Sequence, residues 1–270
     1  MRKFTDKQKL KTQLEIHAGP HEQKLPENLG EMVNLVSLEI YDFGKLEEIP
    51  QDIEKLEKLE KLIISSCPKL IEIPESIGNL KNLKSLNLRL NNLEYLPESI
   101  GNLENLKELD LEFQNLKELP ESIGSLKNLK SLSLKLDNLE YLPESIGNLE
   151  NLKELDLEFQ NLKELPESIG NLKNLEYLHL HYLSMNTLPN SIGNLKALKT
   201  LEINETDLIE LPESIGNLEN LEVLNILVSF NINEIPNSVT NLKKLKKLYV
   251  DLDDVNVPDS IKHLVALDDD

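Results

Sequence analysis

The chain has little cysteine and no tryptophan. Cys67 is its single cysteine among 270 residues. One cysteine excludes an internal disulfide, so the disulfide framework typical of small extracellular domains is absent. Because its sequence neighbours Ser66 and Pro68 are neither basic nor histidine, we interpret Cys67 as a buried structural thiol rather than a reactive one.

Long hydrophobic runs are missing as well. No apolar stretch approaches the roughly 18 residues of a membrane helix, and residues 1–20 lack the apolar segment of a signal peptide. The sequence therefore predicts a protein without a membrane span that is cytoplasmic as given. A secreted protein whose signal peptide has been removed is the alternative.

Basic residues are scarce relative to acidic ones. There are 29 lysines and arginines against 48 aspartates and glutamates, which gives a net charge of -19 and a pI near 4.7. Such a surface repels phosphate groups, and the sequence supplies no basic stripe, so nucleic acid is excluded as a partner. The charge instead favours a protein partner with a basic or mixed surface.

Proline, in contrast, is present at a regular spacing. Eleven prolines directly follow a branched apolar residue, and between Pro74 and Pro212 successive members of this series lie 23 residues apart. A fixed period of this length marks an array of similar supersecondary units. No linker rich in Pro, Gly or Ser interrupts the period, so we expect one continuous array.

One repeat, residues 83–105, illustrates the unit. Its apolar positions include Leu83, Leu86, Leu88, Leu93, Leu96, Ile100 and Leu103. Leu86 and Leu88 have the two-residue spacing of a strand with one buried face. Pro97 then fixes φ, and Gly101 permits a backbone bend. The pattern predicts a strand, a turn and a short irregular or 3₁₀ return, which can bury its apolar residues only by stacking on neighbouring units.

The unit fits the pattern LxxLxLxxNxLxxLPxxIGxLxx and resembles the 23-residue class of the leucine-rich repeat family, as found in plant intracellular Ras-group proteins and in bacterial, notably spirochaetal, proteins. The resemblance implies an α/β fold: a curved solenoid with a parallel sheet on its concave side, 3₁₀ or irregular segments on its convex side, and a role in protein recognition. We assign residues 1–26 to an N-terminal capping unit, 27–267 to about ten further repeats and 268–270 to an acidic tail.

A glutamate follows the proline in six repeats. These residues are Glu75, Glu98, Glu121, Glu144, Glu167 and Glu213. Stacking places them in one column, so we expect a strongly negative convex side in which like charges repel. Each carboxylate also lies near the start of a short helical turn, where free N–H groups favour it.

A row of large apolar residues lies two positions after the second core leucine of five consecutive repeats. Its members are Leu90, Phe113, Leu136, Phe159 and Tyr182. In one interpretation this row is exposed and binds a protein partner, together with Tyr177, Glu112 and Glu158. In the other, its members fold over the edge of the sheet and pack against each other.

His179 and His181 form the only concentration of histidine. They lie two apart on one predicted strand, so both face the same side. Asp156 and Glu202 are the predicted lateral neighbours of the first ring, and Glu158 and Asn204 those of the second. Imidazole beside carboxylate is a combination that binds zinc, although two histidines alone are a weak signal.

No catalytic arrangement is recognisable. The sequence has no Ser/His/Asp or Cys/His pattern, glycine-rich phosphate loop or CxxC motif, so we predict no enzymatic activity and no cofactor. The leading hypothesis is a scaffold that binds a partner protein through its concave face. The alternatives are a self-assembling structural protein, for example a homodimer, and a metal or small-ligand binder at His179 and His181.

Overall fold

The structure, a computed structural model, describes residues 3–19, 21–229, 231–251 and 255–266. Along these residues a short strand alternates with a short 3₁₀ turn. The predicted acidic tail, residues 268–270, lies outside the described residues. Contacts group the chain into two compact units, Met1–Leu129 with Lys135–Asp137 and Lys130–Leu134 with Asn138–Asp270.

In its described part, the first unit contains one α-helix, α1 (Asp6–Lys9), and five strands. The strands are β1 (Gln13–His17), β2 (Ser37–Tyr41), β3 (Lys61–Ser65), β4 (Ser85–Arg89) and β5 (Glu108–Phe113). The 3₁₀ turns are Leu29–Glu31, Gln51–Lys55, Glu75–Asn79, Glu98–Asn102 and Glu121–Ser125. Each strand pairs in parallel with the next, so that Leu62 lies opposite Leu86 and Leu86 opposite Leu109.

The second unit has the same alternation. Its strands are β6 (Ser131–Leu136, whose last residues belong to the first unit), β7 (Glu154–Glu158), β8 (Tyr177–His181), β9 (Thr200–Asn204), β10 (Val223–Asn225) and β11 (Lys247–Tyr249). Its 3₁₀ turns are Glu144–Asn148, Glu167–Asn171, Asn190–Asn194, Glu213–Asn217, Asn237–Asn241 and Asp259–Leu264. From β7 to β11 neighbouring strands again pair in parallel. The predicted fold class is confirmed.

The sequence explains each part of a repeat. Leu86 and Leu88 are buried while Ser85, Asn87 and Arg89 on the same strand face solvent, as the two-residue period requires. Pro97 precedes the 3₁₀ turn with φ -69°, and its carbonyl accepts a hydrogen bond of 3.0 Å from the Ile100 N–H. Proline suits this position because it needs an acceptor and a fixed φ but no donor.

The repeated glycine has a different role from the one we predicted. No described glycine has a positive φ, so Gly101 is not needed for an unusual bend. A Cβ at Gly101 would instead lie 2.7 Å from the Ser122 Cβ of the next repeat and closer still to the Ser122 carbonyl oxygen. Glycine is required here because the backbones of adjacent repeats approach too closely for any side chain.

Two side-chain ladders join successive repeats. Asn82 donates to the Glu57 carbonyl at 2.7 Å, and equivalent bonds recur at Asn105, Asn128, Asn174 and Asn220. The glutamates after the proline form the second ladder, in which Glu75 accepts from the Ser99 N–H at 3.1 Å and Glu98, Glu144 and Glu167 accept from the next repeat in the same way. Each of these four glutamates therefore satisfies an N–H group near the start of the next 3₁₀ turn, which offsets the expected repulsion.

Residues 1–26 contain α1 and β1. Thr5 and Gln8 form a capping box at the start of α1. Asn28 fastens the segment to the first repeat, since its side chain accepts from the Phe4 N–H at 2.8 Å and donates to the Phe4 carbonyl at 3.0 Å. Among the residues described, no helix combines the length and the apolar character needed to cross a membrane.

Candidate functional site

Most of the predicted partner-binding row is buried, which corrects the interpretation of it as a contact surface. Leu90, Phe113, Leu136 and Phe159 are each at most 1% exposed. The reason is the strand period: these residues lie two positions after a buried leucine and so point to the same side. In β5 the strand extends to Phe113, and burial alternates through all six of its residues.

Tyr182 differs from the other members because its backbone turns. It has a φ of 55°, its side chain is 46% exposed, and the next residue, Leu183, occupies the core. The same turn occurs at Asp42, Ser66, Glu205 and Val228, each followed by a buried residue. The buried residue after Ser66 is Cys67, as predicted for a structural thiol. Burial raises the pKa of this thiol.

Strand β8 and the residue directly after it carry most of the predicted site residues that remain on the surface. Tyr177 at its start is 41% exposed, and the fully buried Leu178 and Leu180 alternate with the outward-facing His179 and His181. Together with Tyr182, these side chains form a continuous series on the solvent-facing side, which we call the β8 surface. Glu158 lies beside His181 on β7. Glu112 belongs to the first unit, where it lies 3.8 Å from Arg89 Nε.

The predicted lateral neighbours of the histidines are confirmed by the strand register. His179 lies between Asp156 and Glu202, and His181 lies between Glu158 and Asn204. His179 Nδ1 is 3.0 Å from Glu202 Oε2. The two imidazole rings are stacked with centroids 6.3 Å apart and planes within 10°. Ligand atoms of His179, His181 and Glu202 all lie within 4.8 Å of one another.

Two polar atoms beside the histidines have no hydrogen-bond partner. They are Asp156 Oδ1 and Asn204 Oδ1, both removed from solvent. Burial raises the pKa of Asp156, while the two nearby histidines act in the opposite direction. Unused hydrogen-bond acceptors therefore lie next to the imidazoles of the β8 surface, an arrangement that favours a donor or a cation.

Two ion pairs hold the residue that directly precedes strand β8. Glu176, directly before β8, accepts from Lys153 at 2.8 Å and from Lys199 at 2.5 Å. These two hydrogen bonds lower the pKa of Glu176 to about 2, with Lys153 contributing most. Glu176 thereby links the segments that precede β7, β8 and β9.

This pKa predicts an acid-dependent loss of stability. The folded pKa of Glu176 is below its unfolded value of about 4.3. The stabilisation of the folded state by this carboxylate is therefore fully present above the unfolded pKa and is lost as the pH falls towards 2. Glu176→Gln is expected to lower the urea midpoint at pH 6, and to lower it much less at pH 2.5, which is close to the folded pKa. The same change at exposed Glu210 serves as the control. A difference that is independent of pH would show that the ion pairs contribute nothing.

Comparison with known proteins identifies similar sequences and structures. The family described as "Leucine-rich repeat region" matches residues 74–157, 126–206 and 192–269, and "Leucine Rich Repeat" matches residues 58–80. A leucine-rich repeat protein of Leptospira interrogans is 31% identical with a TM-score of 0.70; the match covers 85% of this chain and 65% of that one. The match therefore spans a little less than two thirds of that chain.

Two further structures have lower identity. The plant peptide hormone receptor RGFR1, in complex with RGF2, is 28% identical over 88% of this chain and 42% of the receptor, with a TM-score of 0.61. The leucine-rich repeat domain of the type III effector XopL is 27% identical over 92% of this chain and 76% of that domain, with a TM-score of 0.60. A comparison with curated proteins finds no match.

Proposed function

Because this chain belongs to the leucine-rich repeat family, we propose that it is a protein-binding scaffold that recognises a partner protein through the β8 surface. Members of the family are generally binding scaffolds rather than enzymes. The plant receptor similar to this chain binds RGF2, which supports a comparable role for the shared fold. We extend that role to this chain because of the exposed tyrosines and the acidic residues on its own surface.

The observation that carries the proposal is the exposure of two tyrosines, one at the start of β8 and one directly after its last residue. Tyr177 and Tyr182 are 41% and 46% exposed, although the core beneath them is closed by leucine. Tyrosine provides a large contact area together with a hydrogen-bonding hydroxyl, and it is enriched among the residues that dominate binding energy. With His179 and His181 between them, the tyrosines provide both aromatic anchors and polar contacts.

The charge around the tyrosines indicates what kind of partner fits. Glu154, Glu158 and Glu205 lie at least partly exposed near the β8 surface, and the chain as a whole carries a net charge of -19. Complementary charge accelerates association and disfavours partners of like charge. We therefore propose a partner with a basic or mixed surface.

The proposal can be tested by affinity capture with matched variants. The bait proteins are the parent, the double variant Tyr177→Ser with Tyr182→Ser, and Tyr141→Ser as a control. Tyr141 is also exposed, but it lies in the loop after β6. We expect a partner that the parent and the control retain and that the double variant loses. With the purified partner, the double change should weaken binding at least tenfold, or by about 1.4 kcal/mol.

The three substitutions lie on the surface and should leave the fold intact, so a loss of binding would report on the contact surface itself. Equal retention by all three proteins would place recognition outside the β8 surface. Loss of the partner by the Tyr141 variant alone would place it on the loop side of the repeats.

A further inference from the structure

We propose that His179, His181 and Glu202 form a binding site for one zinc ion on the solvent-facing side of β8 and β9. The proposal does not depend on the protein-binding role, since the ion would be held by this chain alone. Its basis is the arrangement of three ligand side chains that the parallel sheet brings together.

The strands position the three side chains. His179 and His181 alternate with Leu178 and Leu180, so both rings point away from the core. Glu202 stands opposite His179 on β9, where Leu201 and Ile203 are fully buried on either side of it. Adjacent strands lie about 4.8 Å apart. Because the backbone beneath each ligand is fixed by buried residues, the site is largely organised before an ion arrives.

The distances fit a single zinc ion. Two ligand atoms at about 2.1 Å from zinc and at the tetrahedral angle are about 3.4 Å apart. His179 Nδ1 and Glu202 Oε2 are already 3.0 Å apart, and ligand atoms from all three residues lie within 4.8 Å. Small side-chain rotations are therefore sufficient for all three to reach one ion. The fourth tetrahedral position would remain open, as in zinc sites that bind water or a further ligand.

Asp156 provides the second observation that points to a cation. It flanks His179 on the side opposite Glu202, and its Oδ1 atom is buried without a hydrogen-bond partner. A buried carboxylate oxygen without a donor is unfavourable. An ion held by the histidines would place positive charge beside this carboxylate and reduce that cost.

The ligand set also selects the class of metal. Imidazole nitrogens suit zinc and related transition metals, whereas calcium and magnesium are bound by oxygen ligands. Two imidazoles with one carboxylate are a combination found in zinc proteins. We therefore expect zinc to bind and calcium and magnesium not to compete.

His17 provides a matched control within the same chain. Its Nε2 atom is 2.5 Å from Glu15 Oε1 and its Nδ1 atom is 3.5 Å from Asp42 Oδ2, so a carboxylate lies beside each ring nitrogen. However, its stacking partner is Tyr41 and not a second imidazole. If a histidine between carboxylates were sufficient, His17 would bind zinc as well as the proposed site does.

The experiment is calorimetric titration of zinc chloride into the full chain, purified without a polyhistidine tag and treated with a chelator. We expect one zinc ion per chain with a dissociation constant in the micromolar range or below, and an upward shift of the melting midpoint in zinc. Cobalt should bind in place of zinc and give the visible absorption of a tetrahedral site. Excess calcium or magnesium should leave the zinc titration unchanged.

Variants locate the ion. Glu202→Gln is expected to weaken zinc binding at least tenfold, and His179→Gln combined with His181→Gln to abolish it. His17→Gln should bind zinc as the parent does. Circular dichroism without metal verifies the fold of each variant, and similar melting is expected because the changed side chains point away from the core.

Three results would overturn the proposal. The first is the absence of zinc binding by the parent at 100-fold molar excess. The second is binding that survives the double histidine change or is lost with His17→Gln. The third is one ion per two chains, which would mean that the ion bridges copies.

Discussion

Phe159→Ala is expected to lower the free energy of unfolding by about 3–5 kcal/mol, the range for removing a fully buried phenylalanine side chain. Phe159 has no exposed surface, although it directly follows strand β7, where contact with a partner was one of two sequence interpretations. Its ring lies in the core, and the surrounding structure can close the resulting cavity only in part. Urea denaturation of the purified variant measures the loss.

Tyr182→Ala is the matched comparison, because Tyr182 occupies the equivalent place in the next repeat but is exposed. Alanine has the same Cβ, so the left-handed backbone is equally strained in both proteins. We expect its free energy of unfolding to stay within about 0.5 kcal/mol of the parent. Similar losses at the two positions would contradict the different orientations of the two rings.

Gly101→Ala is expected to destabilise the protein by about 1–3 kcal/mol or more, the range for overpacking a well-filled interior. In an exposed helical turn the same change would be favourable, since alanine has the higher helix propensity by about 1 kcal/mol. Here the new methyl group would meet the backbone and Cβ of Ser122, and neither can rotate away. The effect on unfolding therefore has the opposite sign from the propensity.

Gly19→Ala is the control for this prediction. A Cβ at Gly19 meets no atom within 4 Å, and its backbone needs no positive φ. Its thermal midpoint should match or slightly exceed that of the parent, since alanine restricts the unfolded chain. If Gly101→Ala were also neutral, adjacent repeats would have to separate more easily than their close packing indicates.

The apolar row shows where sequence reasoning was incomplete. Continuing the two-residue period from Leu86 and Leu88 by one more step would have placed Leu90 in the core. The same rule fails at Tyr182, because a left-handed residue shifts the chain and Leu183 fills the core instead. Nothing in the local sequence marks that turn, since tyrosine rarely adopts a positive φ.

The strand period and the repeat length made the candidate metal site predictable in part. His179 and His181 share a face by strand period, and the equal repeat lengths place Glu202 beside His179. The separation of 3.0 Å between their side-chain atoms depends on rotamers, which the pattern does not specify. The unpartnered oxygen of Asp156 likewise became visible only when the surrounding atoms were placed.

By itself, the sequence determined the repeat, the strand and 3₁₀ turn of each unit and the leucines that become buried, because these depend on periods of two and 23 residues. Only the tertiary structure decided why Gly101 is glycine, where the carboxylate of Glu98 binds and which large side chains remain on the surface. These features depend on the distance between residues in adjacent repeats and on single backbone dihedral angles, neither of which is a property of one repeat taken alone.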